Sequence, residues 1–384
     1  MHANHLHLLI PFALPAAGNA SALLSDLELP ALEKLLQRAT LLETDAGTAF
    51  QRTLPHERWL ARAFGLIDTQ AAPDAAPLAA HMLLADGGTP GDASWACVEP
   101  VHIRIARDHL VLIDPATLAI QPEEAARLLA DARPLIEEMG IQLEAPNPLR
   151  WYLSGAALGR LASAPPLRAA GRSVEIWLPQ AENDADPASA AGQASRRSLF
   201  WMKLQNVVQM TWFEHPVNEA REARGELAAN SIWLHSQGAL PARPALAPYA
   251  IVLADAPAPR GLAQASGAAL LDLPTALPDA FRNSGSANPN PAAAALAVLD
   301  ALALPFVHED WYAWRNTLSE IETQWLQPAL AALQQGGLRS VTLTLCGETD
   351  HTTLRTTRGD LRKFWRRRKF DTLLPASHNT AQRP

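Results

Sequence analysis

Short apolar runs and longer amphipathic stretches are spread over the whole chain. Runs rich in apolar and β-branched residues predict strands. These are residues 5–10, 97–107, 109–113, 141–145, 150–154, 174–178, 231–234, 250–254, 269–273, 305–308 and 340–345. Stretches with apolar positions three and four apart predict helices. These are residues 29–42, 55–66, 121–139, 199–213, 260–267, 292–302 and 318–333. We therefore expect an α/β protein.

The order of these elements predicts two domains. From residue 232 onward strands and helices alternate, which is typical of a mostly parallel sheet with helices on both faces. Residues 96–178 favour a compact α+β unit, and residues 180–195, rich in Ala, Asp and Ser, favour a flexible connection. A chain of 384 residues is too long for one small core. We expect a core domain of residues 1–95 and 196–384, and a second domain of residues 96–195.

The amino-acid composition indicates which kinds of partner and which cellular compartment to expect. The formal net charge of −7 favours neither nucleic acid nor an anionic membrane. The two cysteines, Cys97 and Cys346, form no CxxC motif and are expected as buried thiols in a reducing compartment. The N-terminus lacks a basic region, and no apolar run is long enough to span a bilayer. We expect a cytoplasmic protein, and the oligomeric state stays open.

A basic segment near the C-terminus is the one feature that favours nucleic acid. Residues 362–369 read RKFWRRRK, and Trp365 could stack on a base. A solvated helix face has the same composition. The acidic total favours the solvated face, so we do not expect nucleic acid as a partner.

Polar residues that hold metal ions in other proteins stand at the ends of predicted strands. They are His308-Glu309-Asp310, Asp350-His351 and His235-Ser236. Histidine and carboxylate ligands suit zinc or manganese, and a pair of such ions suits phosphoryl transfer. Strands often end on polar residues, so a purely structural role remains the alternative.

The stretch from Trp212 to Gly238 carries further candidates. A charged segment with Asn218 and Arg221 precedes the predicted strand 231–234, and His235 follows it. In open α/β sheets ligands bind at the carboxyl ends of strands, so these side chains and His308 are candidate ligand-binding residues. An ordinary connection, in which Asn and Arg side chains bind loop carbonyls, is the alternative.

This stretch also resembles a known family. HPVNEAREARGELAANSIWLHSQG is similar to the HPVN…R…G…PAN…IWL…G signature of the archaeal-type cofactor-independent phosphoglycerate mutases, which belong to the alkaline phosphatase superfamily. Residues 109–139 resemble that family's insert domain, and Asp350-His351-Thr352 resembles its Asp-His-(Ser/Thr) metal ligands. The resemblance covers residues 80–355. It implies an alkaline-phosphatase-like core with a smaller α+β insert domain, and a mutase that uses two divalent cations, manganese or zinc.

The chain departs from the family's pattern at most of the metal ligands. The first strand ends in Ile10-Pro11-Phe12-Ala13, where the family has Asp-Gly. The family's Asp-x-x-x-His is replaced by residues 308–314, which lack the histidine, and residues 40–53 offer no convincing nucleophile. Residues 97–102 lack the family's substrate-binding arginine. Asp350, His351 and Asp310 would form only a partial metal site.

Two hypotheses follow. In the first, the chain needs no cofactor and is a non-catalytic binding or regulatory protein for a small phosphorylated ligand or a protein partner, because the remaining ligands cannot hold two ions. In the second, it is an active metal-dependent mutase or phosphatase with rearranged ligands. The replacements would be His5, His7, His235, His308 and Asp310. These side chains would then have to converge near Asp350 and His351.

Overall fold

The computed structural model describes residues 3–16, 23–67, 75–181, 187–241, 247–281, 293–363, 368 and 370–373. Its strands are β1 His5–Ile10, β2 Thr40–Ala46, β3 Trp95–Ile105, β4 Leu110–Ile113, β5 Gln142–Asn147, β6 Arg150–Ser154, β7 Leu161–Ala162, β8 Gln180–Ala181, β9 Ser231–Gly238, β10 Ile251–Leu253, β11 Ala269–Leu271, β12 Ala294–Val298, β13 Ser340–Cys346 and β14 Asp350–Thr357. Within these residues, no helix has both the length and the apolar character needed to cross a membrane.

The helices are α1 Pro30–Arg38, α2 Pro55–Ala63, α3 Ala79–Ala85, α4 Pro115–Leu118, α5 Pro122–Glu138, α6 Pro166–Ala169, α7 Pro187–Trp212, α8 Pro216–Ala223, α9 Pro257–Ser266, α10 Ala303–Val307, α11 Trp311–Ile321 and α12 Gln327–Gln335. A π-helical segment, Glu322–Leu326, joins α11 to α12. Residues 364–367 and 369 of the basic segment lie outside the described residues. The expectation that this segment is a solvated face and does not bind nucleic acid therefore stays a prediction.

Two compact units make up the chain. Unit 1 comprises Met1–Leu60 and Leu246–Pro384, and unit 2 comprises Ala61–Ala245. The second unit is longer than the expected domain of residues 96–195 at both ends. On the N-terminal side, α3 packs against β3 and β9. On the C-terminal side, α7 packs against α5 and β9 pairs with β3.

Unit 1 is built on a seven-stranded sheet in the order β11-β10-β12-β1-β13-β14-β2. The pairings from β11 through β13 are parallel, and β14 and β2 add antiparallel. The predicted, mostly parallel sheet is therefore confirmed. β1 lies in its middle, which explains the almost fully buried apolar run of this strand.

Two elements of unit 1 differ from the prediction. Residues 292–302 were expected as a helix, but they contain β12, and residues 305–308 were expected as a strand, but they end α10. An Ala-rich run contains few of the β-branched residues that favour strands, so a helix was expected. In the structure, β12 is buried between β1 and β10, where small side chains fit. Tertiary burial overrides local propensity here.

Unit 2 contains a five-stranded antiparallel sheet. β3 pairs with β4, β6 and β9, and β5 pairs with β6. The predicted hairpin of β3 and β4 and the helix α5 are confirmed. β9 was expected in the parallel sheet and that prediction is wrong, because its residues pair antiparallel with β3. Residues 174–178 form a 3-10 turn rather than a strand. Buried Trp151, Trp201 and Trp212 anchor the core of this unit.

Candidate functional site

The predicted metal ligands Asp350 and His351 lie where β14 begins, in unit 1. A tight turn after β13 brings Cys346 opposite His351, and the Gly347 N–H donates a hydrogen bond to the Asp350 carbonyl at 2.8 Å. A Cβ atom at position 347 would lie 2.6 Å from Oδ1 of Asp350, so the carboxylate can reach this position only because residue 347 is glycine. Oδ1 is buried and accepts no hydrogen bond from the part of the chain that the structure describes.

His351 lies against two acidic side chains of the neighbouring strand. The ring is fully buried. Its Nε2 is 3.5 Å from Oε1 of Glu43, and its Nδ1 is 3.8 Å from Oδ2 of Asp45. Both acids belong to β2, in which Asp45 is directly opposite His351. β2 was not predicted, because residues 40–42 were expected at the end of the preceding helix.

A buried arginine, Arg58 of α2, supplies fixed positive charge at the same place. Its guanidinium donates to the carbonyls of Thr53 at 2.7 Å and Thr349 at 2.9 Å, and its Nε is 3.7 Å from Oδ2 of Asp45. The side chain is completely buried. An arginine stays charged at any pH of interest. The two predicted metal ligands therefore begin a strand beside a permanent cation.

The ionisation of Asp350 reflects these surroundings. Burial raises the pKa of its carboxyl group, although backbone hydrogen bonds, His351 and Arg58 partly oppose that rise. A carboxyl group whose pKa is raised in the folded state stabilises the fold at low pH. That stability is lost as the pH rises from the unfolded pKa, about 4, through the folded pKa. The ionised carboxylate therefore costs stability at neutral pH.

We expect Asp350→Asn to raise the free energy of unfolding at pH 7. Between pH 4 and neutrality, the free energy of unfolding should decrease less in this variant than in the parent chain. Denaturant unfolding over a pH series measures both effects. Glu320→Gln, which changes an exposed carboxylate of the same unit, serves as the control and should leave the pH dependence nearly unchanged. A loss of stability in Asp350→Asn at pH 7 would contradict the argument, because it would mean that the ionised carboxylate is favourably held.

The other predicted ligands of unit 1 do not join Asp350 and His351. Asp310 is exposed and caps α11, accepting a hydrogen bond from the Ala313 N–H at 2.9 Å. His308 ends α10 and is exposed. Among the described residues, a group of three or more metal-ligating side chains whose ligand atoms all lie within 4.8 Å of one another occurs only in unit 2.

The two histidines of β1 are bound within the sheet. His5 Nδ1 is 2.7 Å from the hydroxyl of Ser340. His7 Nε2 is 2.8 Å from the hydroxyl of Thr344, and its Nδ1 is 2.7 Å from that of Tyr249. Burial lowers the pKa of His7 to about 3. Both ring nitrogens of His7 are therefore occupied by neutral partners, and the ring is uncharged near neutrality.

The predicted ligand-binding residues Asn218 and Arg221 lie in α8 of unit 2 and bind neighbouring backbone. Asn218 Nδ2 donates to the carbonyls of Trp212 and Ala229, both at 2.8 Å, and its Oδ1 accepts from the Ala229 N–H at 2.9 Å. These contacts agree with the alternative of an ordinary connection, in which Asn and Arg side chains bind loop carbonyls. The assignment of Asn218 to ligand binding stays a prediction.

Arg221 is almost fully buried and is similarly occupied. Its guanidinium donates to the carbonyls of Leu118 and Leu227 and to the carboxylate of Glu124. These bonds join α8 to the start of α5. A ligand role for Arg221 also stays a prediction.

The cluster in unit 2 consists of Cys97, Glu99 and His235. Their ligand atoms lie within 4.8 Å of one another. Cys97 and Glu99 are two residues apart on β3 and share a face, and Cys97 is directly opposite His235 on β9. The thiol is completely buried and His235 nearly so, while Glu99 is partly exposed. The sequence singled out His235 but gave Cys97 and Glu99 no role.

Charge couples the three side chains. Nε2 of His235 is 2.9 Å from Oε1 of Glu99, and its Nδ1 is 2.8 Å from the hydroxyl of Ser236. Burial alone would lower the pKa of His235, but Cys97 and Glu99 outweigh it and raise that pKa well above the usual value. Burial raises the pKa of the Cys97 thiol. The cluster therefore holds a carboxylate, an imidazole and a thiol that can exchange protons or share a cation.

These observations define an α/β protein with a mostly parallel sheet and a second unit with an antiparallel sheet. No family model matches the chain, and no curated protein matches it. Among solved structures, it is similar to the PH0037 protein from Pyrococcus horikoshii, with 12% identity and a TM-score of 0.45, over 93% of this chain and 88% of that one. It is also similar to the cofactor-independent phosphoglycerate mutase from Thermoplasma acidophilum, with 12% identity and a TM-score of 0.39, over 96% and 93% of the two chains. The second structure bears the name of the family that the HPVN segment resembles. At these scores, function has to be inferred from the chain's own residues.

Proposed function

We propose that the chain is a divergent member of the cofactor-independent phosphoglycerate mutase family that has lost the two-metal mutase reaction. It acts as a binding or regulatory protein for a small phosphorylated ligand or a protein partner. The observation that carries the proposal is Arg58, a buried permanent cation next to the two best-preserved metal ligands.

Charge is the first reason. Unit charges about 4 Å apart interact by about 4 kcal/mol at an effective dielectric constant of about 20. A divalent ion on Asp350 and His351 would be repelled by the guanidinium of Arg58. Asp45, the acid that faces His351, also lies 3.7 Å from this guanidinium. The arginine thus supplies, without metal, part of the positive charge that the acidic side chains require.

The number of ligands is the second reason. Two divalent ions in one cleft require several anionic or imidazole ligands. Asp310 serves as a helix cap. The end of β1, where the family has an aspartate, carries buried Ile10, Phe12 and Ala13, and the Trp314 indole N–H donates to the Phe12 carbonyl at 2.9 Å. Apolar packing fills this position. Asp350, His351, Glu43 and Asp45 then remain beside the guanidinium of Arg58, and this set does not fit a pair of ions.

An active enzyme with rearranged ligands is the alternative, and the same residues argue against it. It needs His5, His7 and His308 to converge on Asp350 and His351. The two β1 histidines instead bind hydroxyl groups of Ser340, Thr344 and Tyr249. His235 belongs to the cluster with Cys97 and Glu99.

We expect the purified full chain to show no phosphoglycerate isomerisation above the uncatalysed background, with or without added manganese or zinc. A coupled assay with 3-phosphoglycerate measures the turnover. The outcome that overturns the proposal is turnover that requires one of these metals and disappears in Asp350→Ala. Asp26→Ala, at an exposed acid of the same unit, controls for non-specific loss.

A further inference from the structure

We propose that Cys97, Glu99 and His235 bind one zinc ion in unit 2. This inference is separate from the proposed function. It concerns a single ion held by strands β3 and β9 and involves none of the residues of unit 1. The ion would join two strands that are far apart along the chain, and three protein ligands would leave its fourth coordination position to water.

The backbone already arranges the three donors. Cys97 and Glu99 project from the same face of β3, and β9 places His235 opposite Cys97. The sulfur, the carboxylate oxygen and the ring nitrogen lie within 4.8 Å of one another. Zinc takes cysteine sulfur at about 2.3 Å and histidine nitrogen or carboxylate oxygen at about 2.0–2.2 Å. Donors this close can surround one ion after small side-chain adjustments.

The donor set selects the metal. A thiolate, an imidazole and a carboxylate are the three ligand types of protein zinc sites. Calcium and magnesium prefer oxygen ligands only, so neither suits Cys97 and His235. Binding displaces two protons, that of the Cys97 thiol and that of the His235 imidazolium at Nε2. The thiolate and the Glu99 carboxylate then balance the charge of a divalent ion. This balance matters because Cys97 and His235 are both buried. The charge of Arg150 also acts on Cys97, but this guanidinium is paired with the Asp86 carboxylate through two hydrogen bonds.

The histidine is oriented as a zinc ligand requires. Metal-binding histidines usually donate their second ring N–H to a polar partner, which fixes the ring and its tautomer. Here Ser236 Oγ lies 2.8 Å from Nδ1 of His235. With Nδ1–H donating to Ser236, Nε2 is the nitrogen left for the ion, and it already faces Glu99. The backbone of Ser236 has a left-handed φ of 58°, which is uncommon for serine.

A buried ion pair between His235 and Glu99 is the competing explanation. That pair needs only two residues, and in it Cys97 serves only as a hydrogen-bond partner of His235. The two explanations make different predictions for the cysteine. Removing the thiol should abolish metal binding in the first case, and it should change only packing in the second.

The test uses cobalt as a spectroscopic substitute for zinc. The full chain, stripped of metal with a chelator and kept reduced, is titrated with Co²⁺. We expect one equivalent to bind and to produce a thiolate-to-cobalt charge-transfer band, which zinc then removes by competition. Cys97→Ser should lose this band. Cys346→Ser, which changes the other buried cysteine, should keep it.

Two further variants separate this inference from the proposed function and from misfolding. Ser236→Ala keeps all three ligands and should weaken binding about 10-fold to 100-fold, as loss of a partner that orients a ligand does. Asp350→Ala should bind cobalt as the parent chain does. Circular dichroism confirms that each variant is folded. If Cys97→Ser misfolds, Cys97→Ala, which places an apolar side chain at this buried position, replaces it in the cobalt titration.

The proposal is overturned if the folded parent chain gives no cobalt–thiolate band, or if the band survives in Cys97→Ser. Loss of the band in Cys346→Ser, with Cys97→Ser unaffected, would place the ion elsewhere and reject the site as well.

Discussion

Arg58→Ala is expected to lower the free energy of unfolding by about 3–5 kcal/mol, which is typical for breaking a buried ion pair by removing one partner. The guanidinium is completely buried and serves two carbonyls, those of Thr53 and Thr349. Its loss leaves both carbonyls without this donor. It also removes the positive charge that faces Asp45 and acts on Asp350.

Denaturant unfolding of the full chain measures this effect. The matched control is Arg355→Ala, an exposed arginine on β14 of the same unit, where a change within about 0.5 kcal/mol is expected. Arg58→Lys adds a second comparison: it keeps the charge but cannot donate to two carbonyls in the planar geometry of the guanidinium, so an intermediate loss is expected. An Arg58→Ala variant as stable as the control would refute the role given to this residue.

Elements whose local pattern matches their surroundings could be predicted from the sequence. β1 has a run of apolar residues, and it lies in the middle of a parallel sheet, where both faces are covered. α5 has Pro122 in its first turn, and the Glu124 carboxylate accepts a hydrogen bond from the Gln121 N–H. In both cases, residues close in sequence specify the element.

Elements defined by distant partners could not be predicted in this way. β9 is apolar enough for either sheet, and only its pairing with β3 assigns it to unit 2. β12 reads as a helix because its alanines carry no strand signal until β1 and β10 enclose them. Strand partners depend on contacts between residues far apart in sequence, which a local pattern does not contain.

The same limit applies to the candidate sites. Asp350-His351 was found because the two residues are adjacent and resemble a family motif, but the arginine beside them comes from a distant helix and binds Thr349, 291 residues away from it. Glu99 and His235 are 136 residues apart. A Cys-x-Glu pattern on a strand is too common to indicate a site until the fold supplies the histidine. The resemblance therefore identified Asp350 and His351 as candidate site residues. Which charged groups surround them could be seen only in the three-dimensional structure.

The HPVN segment contains a residue whose role was visible only in the structure. Asn218, its asparagine, makes three buried hydrogen bonds to backbone groups of Trp212 and Ala229. These bonds close the loop between α7 and β9. This geometry gives Asn218 a structural role in the loop.

We therefore expect Asn218→Ala to lower the free energy of unfolding by about 3 kcal/mol, since each buried group left without a partner costs about 1–3 kcal/mol. Glu219→Ala, at the exposed neighbour on the same helix, should change it by no more than about 0.5 kcal/mol. Asn218→Asp keeps the acceptor for the Ala229 N–H but turns a second oxygen toward two carbonyls. The decrease in the free energy of unfolding should therefore be large at pH 7. It should be smaller at acid pH, where the protonated carboxyl group can donate to one of the two carbonyls. If Asn218 instead serves a ligand, Asn218→Ala should be as stable as the Glu219 control and should lose only binding, so unfolding measured over a pH series distinguishes the two roles.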